Sequence, residues 1–205
     1  MNMNNTNKPS ILFDIDLTLF DADLFRLNVY PRLAEAIKIS LPEFNETLAS
    51  YTNALEKSSD FLPNRFLRHI AKAHSFPFQQ LYDTYFHPRN FKDALYPDTL
   101  PALQQLCSPY NLGIYSEGYE DFQTTKLRLS GILDYFDPDL IYIHRRKIDP
   151  SFLNSLPNQT LIVDDRLKVI DNLNPHSNTT PVWLNRKDNT THPTAKTIHS
   201  LTELF

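Results

Sequence analysis

A set of acidic, basic and hydroxyl residues in this sequence recurs at the ends of apolar runs. Asp14, Asp16 and Thr18 follow one another at alternate positions in ILFDIDLTLF. Ser116 closes LGIYS, Lys147 lies in HRRKIDP, and Asp164-Asp165 close TLIVDD. If the runs are parallel strands, these side chains meet on one edge of a sheet. Carboxylates crowded there would repel one another by several kcal/mol at short range in a partly desolvated site. A hard divalent cation bound by oxygen relieves that repulsion, and Mg2+ is the usual choice beside phosphate. A lysine and hydroxyls alongside complete a pocket for a phosphoryl group.

The elements that must position these groups can be read from periodicity. Ser10 to Asp14 reads as a central strand covered on both faces, because its apolar character is unbroken. From about Leu24 to Phe91 the pattern turns helical. PRLAEAIKISL, PEFNETLASYTNALEKS, NRFLRHIAKAHS and PFQQLYDTYFHP each carry apolar residues at three- and four-residue spacing. Pro31, Pro42, Pro63, Pro77 and Pro88 stand where helices are expected to start or stop. After Tyr96-Pro97 strands and helices alternate. The strands are LGIYS, DLIYIH, TLIVDD and PVWLN; the helices are DTLPALQQLCS, YEDFQTTKLRLSGI, DPSFLNSL, RLKVIDNL and a short one near SLTELF. Alternation of this kind predicts a parallel, doubly wound α/β sheet, which binds ligands at the carboxyl ends of its strands.

FDIDLTL, IYSEG, KIDP and LIVDDRLKVID, in that order, resemble the four motifs of the haloacid dehalogenase-like (HAD) hydrolases. LYPDTLPALQQL, TTKLRLSGILDYFD and VWLNR are similar to stretches of members with a helical cap after the first strand. The resemblance implies a Rossmann-like core over residues 10–23 and 92–205, an all-helical cap over 24–91, and a disordered leader over 1–9. It implies a Mg2+-dependent phosphatase acting on a small phosphomonoester. Asp14 would be the nucleophile and Asp16 the general acid, then base. Thr18, Ser116 and Lys147 would bind phosphoryl oxygens. Asp14, the Asp16 backbone carbonyl and Asp165 would hold the metal, with Asp164 supporting them.

The sequence departs from the family pattern twice. Leu17 stands where many members carry Gly. Val169 falls where a second acid usually follows the metal aspartate, so Asp171, slightly later, is the outer-shell candidate. A dehalogenase of this fold would lack Asp16. A phosphosugar mutase would keep both aspartates, and a non-catalytic relative would be expected to lose Asp14 or Lys147.

Plainer readings stand beside these. Ser116 could cap the helix after it, and Asp164-Asp165 could cap RLKVIDNL. Arg145 and Arg146 read as a solvated loop, and His176, His192 and His199 as surface. Cys107 reads as a small buried hydrophobe. Arg26, Arg65, Arg68 and Lys72 are candidate anion contacts from the cap, each with a solvated helix charge as its plainer reading. A formal net charge of −4 gives no reason to expect nucleic acid. The single Cys excludes a disulfide framework. No apolar run reaches the ~18 residues of a membrane span, and a cytoplasmic location is expected. The oligomeric state is left open.

Overall fold

The computed structural model describes residues 8–148, 156, 159–173 and 178–205. Residues 1–7 of the expected leader, most of the expected helix DPSFLNSL and His176 lie outside the described residues. Six parallel strands form one sheet: β1 (Ser10–Phe13), β2 (Asn111–Glu117), β3 (Ile141–His144), β4 (Thr160–Asp164), β5 (Thr179–Leu184) and β6 (Lys196–Ile198). Their order across the sheet is β3-β2-β1-β4-β5-β6, so the first strand lies at the centre. Successive β1 residues serve opposite faces. Ile11 and Phe13 join the larger apolar cluster, and Leu12 joins a smaller one with Tyr115, Ile162 and Val169. Burial on both faces accounts for the unbroken apolar run. Gly113 on β2 admits no side chain, since an added Cβ would lie 2.5 Å from both Leu12 and the Leu140 carbonyl.

Six α-helices lie between β1 and β2, and the first five are α1 (Ala22–Ala36), α2 (Leu41–Thr52), α3 (Pro63–Ala73), α4 (Phe78–Tyr85) and α5 (Pro88–Lys92). The expected boundary at 23/24 falls inside α1 and that at 91/92 inside α5. Pro42, Pro63 and Pro88 sit in first turns and Pro77 just before one, where a missing N–H costs nothing. Pro31 departs from the expectation: it lies inside α1. The helix starts nine residues earlier than PRLAEA suggests because Asp21 caps it, accepting from Asp23 N at 3.1 Å and Leu24 N at 2.8 Å. The carbonyl that Pro31 leaves without a donor belongs to Leu27, an exposed residue.

Three further helices follow: α6 (Thr99–Leu106), α7 (Glu120–Ser130) and α8 (Leu167–Leu173). Gly131 ends α7 in the left-handed conformation at φ 80°. The short helix expected near SLTELF is a 3-10 helix, Leu201–Leu204. Cys107 is exposed rather than buried, since it falls just past α6, whose inward residues are Ala102, Leu103 and Leu106. No helix among the described residues is long and apolar enough to cross a membrane.

Candidate active site

Strand register places the acidic residues. Phe13 pairs with Val163, so Asp14 comes next on β1 beside Asp164, the last residue of β4. Asp14 N donates to the Val163 carbonyl at 2.9 Å, which extends the ladder one step past the strand. Carboxylate oxygens of Asp14, Asp164 and Asp165 lie within 4.8 Å of one another. Ser116 is buried on β2, one residue before that strand ends.

One ammonium faces the three acids. Lys147 is 0% exposed; its Nζ lies 3.0 Å from Asp14 Oδ1 and donates to Asp164 Oδ2. The same Nζ sits 4.7 Å above the Tyr115 ring, and the Tyr115 hydroxyl donates to the Lys147 carbonyl. Asp164 has no free oxygen, because Oδ1 accepts from Arg166 N at 2.8 Å. Asp165 is less well compensated. Burial first, then the Asp14 and Asp164 carboxylates, push its carboxyl up to about 7. Excess negative charge beside an available carboxylate is what a bound divalent cation would offset. The oxygen donor set fits a hard ion such as Mg2+.

The turn after β1 holds the next residues. Leu19 N and Phe20 N both donate to the Ile15 carbonyl, at 3.0 and 2.9 Å, and Leu17 N donates to the Phe20 carbonyl at 2.7 Å. This geometry puts Leu17 at φ 61°, the region that favours glycine. The Leu17 departure noted in the sequence therefore carries a backbone strain of about 1 kcal/mol. Thr18 is fully buried, and its Oγ1 has no hydrogen-bond partner among the described residues.

Asp16 is held apart from the acidic cluster by α7. Lys126 Nζ donates to its Oδ1 at 2.6 Å and Oδ2 at 2.7 Å, and Gln123 Nε2 to Oδ2 at 3.1 Å. Burial alone would push the Asp16 carboxyl up; Lys126 and these hydrogen bonds outweigh it and hold the carboxyl below its ordinary value. Sequence reasoning missed Gln123 and Lys126. Their signal was present: with Leu127 and Ser130 they fall at helical spacing on the buried face of α7, where polar residues are uncommon without a task. Arg186 of VWLNR was also missed as a support. Its Nη2 donates to the Thr18 carbonyl at 2.9 Å and its guanidinium pairs with Asp98.

Other candidates fall elsewhere. Asp171 is exposed and pairs with His192 Nε2 at 3.0 Å, outside the acidic cluster. His192 was expected at the surface, yet its side chain is only 5% exposed because Asp171 and three local contacts hold it. Arg145 and Arg146 are only partly solvated: both pair with Asp60 in a 3-10 turn (Ser58–Asp60) of the helical segment, and Arg145 Nη1 donates to the Ser59 carbonyl at 2.7 Å. Of the four cap cations, Arg26 alone lines the cavity beside Asp16.

No protein-family model and no curated protein matches this sequence. Solved structures do. A HAD phosphatase from Thermococcus onnurineus is 28% identical, covers 96% of this chain and 95% of its own, and superposes with a TM-score of 0.64. A candidate HAD-hydrolase, YfnB from Bacillus subtilis bound to magnesium, is 19% identical over 96% of each chain with a TM-score of 0.64. A 2-haloacid dehalogenase from Pseudomonas syringae is 20% identical, again over 96% of each chain, with a TM-score of 0.64. The two last carry the fold alone. Near-complete coverage by a phosphatase at 28% identity, together with the motifs read from the sequence, supports membership of the haloacid dehalogenase-like hydrolase superfamily.

Proposed function

We propose that this hydrolase is a Mg2+-dependent phosphatase that cleaves a small phosphomonoester through an aspartyl-phosphate. The observation that carries the reading is the grouping of Asp14, Asp164 and Asp165 around Lys147, with a second aspartate two residues past Asp14 under separate control. A displacement of halide would need no acid beside the nucleophile, so Asp16 favours phosphoryl transfer.

In this reading an Asp14 carboxylate oxygen attacks phosphorus and the ester oxygen leaves, taking a proton from Asp16. Asp16 then accepts a proton from water as that water attacks the aspartyl-phosphate, which releases phosphate and restores Asp14. Lys147 neutralises charge on Asp14 and on the phosphoryl oxygens, with Thr18 and Ser116 donating to those oxygens. The unpartnered Thr18 Oγ1 supports that role. Asp14, the Asp16 carbonyl and Asp165 would hold Mg2+, which supplies charge neutralisation on the transferring group. Asp164 serves by orienting Lys147. Residues 24–91 act as a lid that limits water at the site.

The test is phosphate release from a panel of small phosphomonoesters with Mg2+, with EDTA, and with Asp14→Asn. Release that needs the metal and is lost by at least ~10³-fold in Asp14→Asn is expected. Equal release by the variant, or exchange of phosphate between sugar phosphates without net release, would overturn the proposal.

A further inference from the structure

The phosphoryl chemistry occupies the sheet edge, but beside it lies a much larger space. A cavity of about 720 Å³ opens between Asp16 on one side and α1, α2 and the Ser58–Asp60 turn on the other. Sites that enclose a drug-sized ligand span about 300–1,000 Å³, so most of this space is available to the alcohol that leaves. Its lining combines aromatic residues with polar ones such as Asn45, Asn53, Ser58 and Ser59. Phe20, Phe25 and Tyr85 are buried, while Tyr30, Phe61, Tyr119 and Phe122 are half-buried, with Arg145 over the Tyr119 ring at 3.6 Å and Lys126 over the Phe122 ring at 4.6 Å. Flat rings favour a flat partner, stacked or edge-on.

The charges on these walls are largely spent on one another. Lys126 holds Asp16, Arg26 pairs with Asp23, and Glu117 pairs with Arg166. Glu56 and Lys57 are exposed neighbours of opposite sign. Among the described lining cations, only the exposed Lys57 has no carboxylate at ion-pair distance. One buried acceptor is left over. Gln123 is 3% exposed and its Nε2 donates to Asp16 Oδ2 and to the Glu117 carbonyl at 2.9 Å, yet its Oε1 has no partner among the described residues. Two carboxylate or carbonyl acceptors at Nε2 fix which way the amide faces.

We infer that the leaving alcohol carries a planar aromatic or heteroaromatic group with an N–H or O–H donor for Gln123 Oε1. A polyhydroxylated sugar has no flat face to set against these rings. The inference rests on the proposed phosphatase reading for the reaction and on the cavity alone for the binding.

Four probes share a primary alkyl phosphate ester, so that differences report the alcohol: pyridoxine 5′-phosphate, adenosine 5′-monophosphate, glucose 6-phosphate and glycerol 3-phosphate. Calorimetric titration of each into Asp14→Asn protein with Mg2+ measures binding without turnover. The aromatic pair is expected to bind at least tenfold more tightly than the polyol pair. Phe122→Leu, which keeps apolar bulk but removes the ring, is expected to weaken only the aromatic pair, by roughly fivefold; Phe61→Leu gives the same readout should Phe122→Leu fail to fold. Equal or tighter binding of the polyol phosphates, or no change in either variant, overturns the inference. Release by wild-type enzyme separates the two claims. An aromatic binding preference with no phosphate released from any probe would end the phosphatase reading and leave the pocket assignment standing. Faster release from glucose 6-phosphate than from both aromatic esters would end the pocket assignment alone.

Discussion

At the sheet edge Lys147 and Asp164 are completely buried and held by charge, whereas in the helical segment opposite, rings hold rings. Phe66 lies within 5.3 to 6.1 Å of Tyr30, Phe44, Tyr51 and Phe61, centroid to centroid. Charges out of water tolerate almost no displacement, since each loses a partner worth several kcal/mol. Ring clusters can repack at lower cost. The two sides meet through Asp60 and the half-exposed Arg145 and Arg146, directly before Lys147 in the chain. A rigid charged edge thus faces an adaptable wall, joined by contacts that water can replace.

The sharpest way to break this comparison is Lys147→Met. It strands Asp14 and Asp164 without their cation, and a loss of about 3–5 kcal/mol is expected in urea unfolding; a loss below about 1 kcal/mol would show that charge does not hold this edge. Metal should act next. The Asp165 carboxyl is raised from 3.8 to about 7, so the metal-free protein loses stability as pH rises through that window. Mg2+ requires the ionised form. The rise in Tm with saturating Mg2+ is expected to grow from about pH 5.5 to about pH 8, reaching an effect of about 2–3 kcal/mol at ~100 times Kd. A shift independent of pH would remove Asp165 from the metal site.

On the adaptable side effects are smaller. Asp60→Asn should leave the urea midpoint unchanged while speeding proteolytic cleavage within residues 53–60, with the difference from wild type shrinking at high salt. Unaltered cleavage would mean that Asp60 does not hold the turn. The smallest effect is expected for Leu17→Gly. Relief of the left-handed strain is offset by chain entropy and lost packing, so stability should move by less than about 1 kcal/mol. A loss above about 2 kcal/mol would assign Leu17 a packing role that outweighs its strain.

The parallel sheet and its acidic edge were legible because each depends on local pattern: unbroken apolar runs, and polar residues where those runs stop. Four strands besides β1 were visible this way. β6 was not, since Lys196–Ile198 is three residues long with a lysine and a threonine in it, and it exists only because β5 offers an edge to pair with. Pro31 misled for a related reason: a helix tolerates proline where the orphaned carbonyl belongs to an exposed residue, and orientation is not written locally. Of the charged groups, Lys147 was found from its motif. Arg145, Arg146, Lys126 and Arg186 have partners between 85 and 168 residues away, and no spacing rule reports such pairs. Cys107 shows the limit of helical periodicity at a helix end, where one residue decides between core and solvent.

The central place of β1 has a consequence for how the protein comes into being. Ser10 pairs with Asn111 on one side and Thr160 on the other, so the first described strand stays without neighbours until distant parts of the chain have been synthesised. Such non-local parallel pairing is slow, and the waiting strand is an open template for wrong partners. Asp14 acquires its cation from Lys147 and its fellow carboxylates from the end of β4, so a nascent chain that stops before residue 160 carries the motif without the acidic cluster. Metal affinity should therefore appear late and together with the closed sheet, making Mg2+ uptake a direct readout of completed folding.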